Sequence, residues 1–365
     1  MRVMVLTTAF AHAAPVMGAF LLARWLHRNA IDVTFAALDE HPGGLLADVR
    51  ASGLPSHTFA LNGWRGMRRR AAVQRYVEEQ AIDVVMSDGL RPDIVCAGLR
   101  GVTRVSNVRG ILGEHYALDF PIVVAQVVTR LQARALRRMD AVFAISPEIA
   151  DHLARLGVKR ERLHIVDNFI DVDDVRSAGQ GAPNLGPGAH VGLFAALINR
   201  KRIDLAVRAF ATMLRREPID ATLHIAGDGP LRKRLTSLAR DLNIARNVVF
   251  HGFVERPLPL MAAMDVVLLT SDREGVPRSL MEAMALGRTC VSSAFPGVSS
   301  LIEDGVTGYT FPPGDLDALV GVLSSVVGER RAIDRDRLLT YMRERHDVGV
   351  CAPLVWGQIL RIAAR

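Results

Sequence analysis

Short apolar segments rich in β-branched residues alternate along the chain with longer stretches in which apolar residues recur at helical spacing. Ile149, Leu153 and Leu156 follow that spacing, and the strand-like segments of the first half are residues 3–6, 33–37, 84–86, 105–108, 141–145 and 164–166. Strands that alternate with helices are typical of a parallel sheet with helices on both faces. The pattern therefore predicts an α/β fold of the doubly wound kind.

The alternation is interrupted at residues 176–189, which are rich in glycine and proline. It resumes with strand-like segments at residues 191–195, 223–226, 248–250, 266–269 and 290–292. Helical spacing is found at residues 205–214, and further helices are predicted to begin at Leu231 and Ser279. We predict two domains, residues 1–175 and 190–345, joined by a linker at residues 176–189. Ligands of such pairs bind at the carboxyl ends of the strands, in the cleft between the domains.

Composition narrows the class of protein. Of the 365 residues, 50% are hydrophobic and 23% are charged, a balance that excludes a disordered chain. Cys96, Cys290 and Cys351 are too few and too far apart for a disulfide framework or a zinc site, which favours a reducing, cytoplasmic compartment. No apolar run reaches the roughly 18 residues of a membrane-spanning helix. A signal peptide is the alternative for the amino terminus, but its polar residues and Pro15 favour a first strand.

The basic excess is spread over the chain. The formal net charge is +7, and its even distribution argues against a nucleic-acid-binding tail, so no nucleic-acid partner is expected. One basic cluster precedes a predicted helix and comprises Arg68, Arg69 and Arg70. A second is predicted on a helix with Arg130, Arg134, Arg137 and Arg138 on one face and Val127, Val128, Leu131 and Leu136 on the other. Such faces can rest on anionic lipid or can simply be solvated, and both alternatives stay open.

Several catalytic motifs are absent from the sequence. It contains no G-x-G-x-x-G, no G-x-x-x-x-G-K-[ST], no H-E-x-x-H, no C-x-x-C and no G-x-S-x-G. Hydride transfer, P-loop phosphoryl transfer, zinc hydrolysis and α/β-hydrolase chemistry therefore have no support in the sequence.

The segment from Ser271 to Gly287 carries the clearest chemical signal. Glu274 and Glu282 flank a predicted helix start, with seven residues between them. Free N–H groups at a helix start bind phosphate, and carboxylates on either side can accept hydrogen bonds from sugar hydroxyls. That arrangement suits a nucleotide sugar. The alternative is a capping box, in which Ser279 caps the helix, Glu282 reaches back to it, and Gly287 ends the helix.

This segment resembles the E-x7-E signature of retaining glycosyltransferase family 4, whose members have the GT-B fold. Five further segments are similar to elements of that family in the same order: residues 142–146 (VFAIS), 166–171 (VDNFID), 223–231 (LHIAGDGPL), 249–254 (VFHGFV) and 304–309 (DGVTGY). Phe169 stands where the family has glycine. The six segments span about 170 residues, which makes the resemblance specific, whereas the amino-terminal third is similar only loosely.

The resemblance implies two Rossmann-like domains that face each other across a cleft, with the last helix, residues 346–365, packed back on the first domain. It implies a hexosyltransferase-like enzyme that moves a sugar from a nucleoside-diphosphate sugar to an acceptor hydroxyl with retained anomeric configuration. The amino-terminal domain would bind the acceptor, a sugar or a lipid-linked sugar of glycolipid, lipopolysaccharide or exopolysaccharide synthesis. The protein would then lie in the cytoplasm, in part on the inner face of the membrane.

The cations of the donor site follow from the same resemblance. Lys201 matches the lysine that contacts the donor phosphate, and Arg200 and Arg202 could compensate for Ala196, where the family usually has an arginine. Three cations at a helix start oppose the helix dipole, and a bound anion would relieve that repulsion. Because Lys and Arg supply the countercharge, we expect no metal and no cofactor.

The resemblance also assigns the carboxylates. Glu274 would hold the donor sugar, as a catalytic residue beside Lys201, and Glu282 would bind the ribose. Phe253 would offer backbone atoms to the base. The other predicted donor contacts are Gly227, Gly275, Val276, Pro277, Arg278, Ser279 and Leu280.

Three positions of the amino-terminal domain depart from the family. Ala13 and Ala14 replace a glycine pair, and Arg109 stands where the family often has a histidine near the reacting sugar. His115 is the alternative catalytic histidine, and Arg109 is grouped with Arg68, Arg69 and Arg70 as an acceptor or anionic-surface residue. These departures keep two alternatives open: a GT-B epimerase or hydrolase, and a catalytically silent nucleotide-sugar-binding partner.

Overall fold

The structure is a computed structural model, and it describes residues 1–11, 14–39, 41, 44–61, 70–113, 116, 121–329 and 331–364. The chain divides into two compact units. Unit 1 comprises Met1–Phe169 and Val348–Arg365, and unit 2 comprises Ile170–Asp347. Each unit is an α/β layer structure around its own parallel sheet, as the alternation of strand and helix patterns predicts.

Unit 1 contains a seven-stranded sheet in the order β3-β2-β1-β4-β5-β6-β7. Its strands are β1 Arg2–Ala9, β2 Asp32–Asp39, β3 Ser56–Thr58, β4 Val84–Asp88, β5 Thr103–Val108, β6 Ala141–Ala144 and β7 Leu163–Ile165. Its described helices are α1 Ala14–Arg28, α2 Leu46–Ala51, α3 Arg70–Glu79, α4 Leu90–Cys96, α5 Ile122–Leu136 and α6 Pro147–Arg155, with α15 Val348–Ala363 from the end of the chain.

Unit 2 contains a six-stranded parallel sheet in the order β10-β9-β8-β11-β12-β13. Its strands are β8 Ala189–Phe194, β9 Ala221–Ala226, β10 Val248–Gly252, β11 Val266–Leu269, β12 Thr289–Ser293 and β13 Tyr309–Phe311. Its described helices are α7 Val172–Ala178, α8 Ile203–Arg216, α9 Arg232–Asp241, α10 Pro257–Ala262, α11 Arg278–Ala285, α12 Pro296–Ser299, α13 Leu316–Leu323 and α14 Arg335–Arg345. A π-helical turn, Ser324–Gly328, follows α13.

The central strands are apolar because helices cover both sheet faces. In β1, Val3, Met4, Val5 and Leu6 are all buried, so the strand reads as a continuous apolar run rather than an alternation. In unit 2, α8 turns one apolar side toward the sheet, where Phe210 is fully buried. Because buried strands are continuous apolar runs and helices have one apolar side, the spacing of apolar residues in the sequence identifies both kinds of element correctly.

Two edge strands are missed by the sequence pattern. β3 reads Ser-His-Thr, and β13 has only three residues. Edge strands are half exposed, so they need no apolar run and leave little signal in the sequence.

The boundary between the units differs from the predicted one. The division falls between Phe169 and Ile170, so α7 belongs to unit 2, although residues 170–175 were assigned to the first domain. Val172 and Val175 are buried, and the Val172 N–H donates to a carboxylate oxygen of Asp347 at 3.0 Å. These contacts hold residues 170–178 to unit 2, and the predicted linker therefore lies within that unit. The last helix, α15, packs against α1 in unit 1.

Candidate functional site

Polar and charged side chains of unit 2 converge at the carboxyl end of its sheet, beside β8 and β11. These two strands are neighbours although β9 and β10 intervene in the sequence, so the loops after them meet at the point where the strand order reverses. Ligands of open α/β sheets bind at such a switch point. Every residue of the predicted donor site lies in unit 2.

The loop after β8 presents the three predicted cations. Asn199–Lys201 form a single 3₁₀ turn, and Arg202 has φ +45° and ψ 42°, a left-handed conformation uncommon for a residue with a side chain. The Thr270 hydroxyl is 2.9 Å from the carbonyl oxygens of both Lys201 and Arg202, and it stabilises this turn. Helix α8 begins immediately afterwards, as predicted.

Lys201 and Glu274 form an ion pair between the two loops. Nζ of Lys201 lies 2.5 Å from Oε1 of Glu274, and both side chains are largely buried. The hydroxyl of Ser271 donates to the same carboxylate oxygen at 2.6 Å. The structure thus brings together two residues that are 73 positions apart in the sequence.

Burial sets the electrostatics of this pair. It lowers the pKa of the Lys201 ammonium, an effect that the nearby Glu274 carboxylate opposes and the Arg200 guanidinium reinforces. Nη1 of Arg200 lies 3.9 Å from Glu274, whereas its buried Nε has no hydrogen-bond acceptor in the described part of the chain. A buried donor without an acceptor is costly, so the site favours an anionic ligand.

The loop between β11 and α11 is held to the β8 loop by several further contacts. The N–H of Asp272 donates to the carbonyl of Arg200 at 2.9 Å, and Nη1 of Arg200 donates to the carbonyl of Arg273 at 2.8 Å. Arg202 donates to the Asp272 carboxylate at 3.1 Å. The position of Lys201 is therefore coupled to the loop that carries Glu274.

Gly297 supports the Glu274 loop from the other side. A Cβ at this glycine would lie 1.8 Å from the carbonyl oxygen of Gly275 and 3.1 Å from that of Glu274. Only a residue without a side chain allows this close approach of two backbones.

Helix α11 begins at Arg278, so the capping-box alternative is wrong. Pro277 occupies the cap position and no side chain caps the helix, which places Ser279 second in the helix and Glu282 more than one turn inside it. Nε of Arg278 donates to Glu282 at 2.7 Å. Burial raises the pKa of Glu282, and the Arg278 charge opposes that rise.

The start of α11 presents free backbone donors. The N–H of Met281 bonds to the carbonyl of Pro277, so the N–H groups of Arg278, Ser279 and Leu280 precede the hydrogen-bonded part of the helix. The side chain of Leu280 is buried, and Val276 and Pro277 before it are also buried. The backbone, rather than these apolar side chains, is what this helix start offers to an anion.

Gly227 joins the ends of three neighbouring strands. Its φ is +142°, and a Cβ there would lie 1.9 Å from the carbonyl oxygen of Ala195. Its N–H donates to the carbonyl of Gly252 at 2.7 Å. Phe253 follows directly, with a side chain that is 80% exposed. The structure therefore places Gly227 and Phe253 at the same end of the sheet as Lys201.

Two family models match the chain. "Glycosyl transferases group 1" matches residues 189–328, and "Glycosyltransferase Family 4" matches residues 17–174. The chain belongs to this glycosyltransferase family. The resemblance inferred from the six sequence segments is thereby confirmed, and it extends to the amino-terminal half.

Relatives of this chain include N-acetyl-alpha-D-glucosaminyl L-malate synthase of Bacillus anthracis, 30% identical over 185 residues, or 49% of this chain and 48% of that protein. Lipopolysaccharide core biosynthesis glycosyltransferase LpsE of Rhizobium meliloti is 27% identical over 241 residues, 66% of each chain. The matched region thus spans about half the length of the first relative and about two thirds of the second.

A solved structure confirms the GT-B fold. The crystal structure of HepE from Anabaena in complex with UDP has a TM-score of 0.82 and 20% sequence identity, and the match covers 99% of this chain and 100% of that one. The expectation of two Rossmann-like domains is therefore correct for this chain.

In unit 1, Arg109 is not part of an exposed basic surface. Its Nε donates to the Asp88 carboxylate at 2.9 Å, and its Nη1 donates to the side chain of Asn168 at 2.6 Å. The guanidinium packs against Gly18, where a Cβ would lie 2.4 Å from Nη2. The guanidinium is largely buried and paired with Asp88, which argues against a contact with an anionic surface. The predicted role of Arg109 toward an acceptor stays a prediction.

Of the other predicted residues of unit 1, some are described by the structure and some are not. Arg70 is exposed and begins α3. Arg68, Arg69 and His115 lie outside the described residues, as does Ala13, so their predicted roles stay predictions.

Sequence reasoning missed the residues that position the Lys201–Glu274 pair. Thr270 and Ser271 are buried hydroxyl residues at the end of β11. The hydroxyl of Ser293, at the end of β12, donates to the carbonyl of Ser271 at 2.5 Å. Polar residues that directly follow an apolar strand were the signal available in the sequence.

Proposed function

We propose that this protein transfers a hexosyl group from a nucleoside-diphosphate sugar to an acceptor hydroxyl, with retained anomeric configuration. The observation that carries the proposal is the buried Lys201–Glu274 pair at the switch point of unit 2. It joins the cationic loop after β8 to the E-x7-E loop, so that cations, a carboxylate and helix N–H groups occupy one sheet edge. A diphosphate sugar needs all three kinds of group.

In the proposed step, the bond between the anomeric carbon and the diphosphate oxygen breaks, and its electron pair leaves with the nucleoside diphosphate. The Lys201 ammonium has three N–H donors, of which Glu274 takes one, so two are available to phosphate oxygens. Arg200 and the N–H groups at the start of α11 add to this countercharge. The acceptor oxygen bonds to the anomeric carbon on the same face, and its proton passes to the leaving phosphate.

The carboxylates of Glu274 and Glu282 would bind different parts of the donor. Glu274 is held by Lys201 and Ser271, which leaves its second oxygen for a hydroxyl of the donor sugar. Glu282 lies inside α11 and would take the ribose hydroxyls. Gly227 and Phe253 would contribute backbone atoms near the base. Arg202, Gly275, Val276 and Pro277 would complete the walls of the donor site.

The two units would divide the substrates. Unit 2 would bind the donor, and unit 1 would bind a sugar or lipid-linked acceptor of glycolipid, lipopolysaccharide or exopolysaccharide synthesis. The relative LpsE, a lipopolysaccharide core biosynthesis glycosyltransferase, supports this class of acceptor. We further propose that the enzyme acts in the cytoplasm and on the inner membrane surface. In the described ranges, no helix is long and apolar enough to cross a membrane.

The direct test is incubation of the purified protein with a panel of UDP-, GDP-, ADP- and dTDP-sugars, followed by thermal shift and nucleoside-diphosphate release. We expect one base to raise the melting temperature, and release to accelerate when a sugar acceptor is added. Nucleoside-diphosphate release at the same rate with and without each acceptor would indicate a hydrolase. Isomerisation of the sugar without nucleoside-diphosphate release would indicate an epimerase. Binding without any turnover would indicate a silent partner.

We predict that EDTA leaves turnover unchanged. Lys201, Arg200 and backbone N–H groups surround the proposed phosphate position, and no cluster of three His, Cys, Asp or Glu side chains within the described residues could hold a metal ion. The measurement compares initial rates after EDTA treatment with rates after added Mg²⁺ or Mn²⁺. A strict requirement for either ion would show that the metal-free proposal is wrong.

The Glu282→Gln change should affect donor affinity more than stability. Glu282→Gln keeps an oxygen acceptor for Arg278 but loses the negative charge, so we expect the donor KM to rise about tenfold, or about 1.4 kcal/mol. Glu282→Ala also leaves Arg278 without its partner and should lower the free energy of unfolding by about 1–3 kcal/mol. Donor titrations and thermal melts on both variants separate the two effects. A donor KM equal to that of the wild type in both variants would exclude the ribose role.

A further inference from the structure

Helix α5 of unit 1 exposes large aliphatic side chains to solvent. Ile122 is 69% exposed and Val123 is 68% exposed, and Val124, Val127 and Leu131 are also exposed. Isolated surface aliphatic residues are ordinary, but a contiguous group on one helix marks an interaction surface.

The orientation of α5 is fixed from its buried side. Gln132 is buried and its Nε2 donates to the Asp93 carboxylate at 2.7 Å. The hydroxyls of Ser87 and Ser106 donate to the other oxygen of Asp93, each at 2.7 Å. Because this network holds one side of the helix in the interior, the opposite side cannot turn inward to bury its aliphatic residues.

This orientation corrects the sequence interpretation. Val127 and Leu131 were predicted on the apolar side opposite the arginines, together with Val128 and Leu136. Only Val128 and Leu136 are buried. Val127 and Leu131 instead lie on the solvent side, and with Val123 they form a row at intervals of four residues.

Four arginines lie beside this aliphatic row. Arg130 and Arg134, four residues apart, border it, and Arg137 and Arg138 follow at the carboxyl end, all exposed. In the described part of the chain none of the four is in an ion pair, and α5 contains no acidic residue. Cations in the last turn of a helix interact favourably with the helix dipole. That interaction explains the arginines but not the exposed aliphatic residues.

We propose that α5 lies flat on an anionic phospholipid surface. The row of Val123, Val127 and Leu131 would enter the boundary between headgroups and acyl chains, and the arginines would bind lipid phosphates. A second copy of the chain is a poorer partner, because its α5 contains no acidic residue that could pair with these arginines. The proposal rests on the membrane localisation proposed above, and it does not depend on the transfer reaction.

Vesicle co-sedimentation tests the proposal with the full-length chain. We expect the wild type to pellet with mixed phosphatidylcholine–phosphatidylglycerol vesicles, weakly with phosphatidylcholine alone, and less at high salt. The triple variant Val123→Gln, Val127→Gln, Leu131→Gln and the quadruple variant with Arg130, Arg134, Arg137 and Arg138 changed to Gln should each lose about tenfold in bound fraction.

The matched control removes exposed aliphatic side chains from another helix of the same unit: Val350→Gln, Leu354→Gln and Leu360→Gln in α15. It should bind like the wild type, and all variants should keep the wild-type melting temperature because the changes are on the surface. Wild-type protein that never pellets with anionic vesicles would overturn the proposal. So would a loss confined to an Arg68–Arg70 alanine variant, or a dimer in light scattering that the aliphatic variant abolishes.

Discussion

Glu274→Ala is expected to lower kcat by one to three orders of magnitude, which corresponds to about 1.4–4 kcal/mol of lost transition-state stabilisation. Glu274 accepts hydrogen bonds from Lys201 and Ser271, so its removal takes away the proposed contact to the donor sugar and also frees the Lys201 ammonium. An ammonium displaced from its partner no longer holds the leaving phosphate in place.

The same contact changes the expected stability of this variant. A glutamate in a loop before a helix is expected, from the sequence alone, to contribute little to the free energy of unfolding. In the structure it neutralises a largely buried lysine, so Glu274→Ala should lower the free energy of unfolding by about 1–3 kcal/mol. Glu274→Gln, which keeps the size and one acceptor oxygen, should retain more stability while kcat remains low.

The control for this prediction is an exposed ion pair of the same unit, away from the two loops. Asp317 pairs with Arg216 at 3.3 Å, and Asp317→Asn should leave kcat within about threefold of the wild type. Initial rates at saturating donor, with melting temperatures on the same preparations, provide the measurement. A Glu274→Ala enzyme with wild-type kcat would remove the carboxylate from the mechanism.

Mild acid is expected to destabilise unit 2 through a row of histidines on three neighbouring strands. Nδ1 of His190 lies 3.1 Å from Nε2 of His224, and Nδ1 of His224 lies 3.0 Å from Nε2 of His251. Burial, followed by the neighbouring His251 and His190, lowers the pKa of His224 to about 4. Burial also lowers the pKa of His251.

The direction of the pH effect follows from proton uptake on unfolding. An unfolded histidine has a pKa of about 6.5, so the unfolded chain binds a proton at His224 that the folded chain does not bind. The stability that neutral His224 contributes is complete above that pH and is lost progressively as the pH falls toward 4. With allowance for partial solvation, the loss is about 2–3 kcal/mol.

Urea unfolding between about pH 7 and pH 4.5 measures this effect, and His224→Gln serves as the matched variant. Glutamine can hydrogen-bond to both neighbouring histidines but cannot take up a proton. Asp88, Asp93 and Glu282 have raised pKa values and work in the opposite direction, so the comparison uses the difference between the two proteins. If the free energy of unfolding changes with pH in the same way for wild type and variant, His224 does not take up a proton on unfolding.

Much of the donor site could be predicted because its signals are local. The start of α8 after Lys201 and the end of α11 before Gly287 depend on residues a few positions apart. The start of α11 shows how local reading fails. Ser279 and Glu282 have capping-box spacing, yet Pro277 occupies the cap and Glu282 bonds to Arg278 instead. Ser279 and Pro277 are both candidates for the cap of this helix, and residue spacing alone does not decide between them.

The sequence by itself determined the two α/β units, the family and the residue types of the donor site. Periodicity and short motifs reflect interactions between residues that are close in the sequence, and these interactions depend little on the rest of the fold. Tertiary structure decided what depends on distant segments: the Lys201–Glu274 pair, the burial of Arg109 against Asp88, and the solvent-facing row of α5. β8 and β11 become neighbours only when the sheet forms, and the Gln132–Asp93 hydrogen bond sets the rotation of α5 only after both side chains are buried.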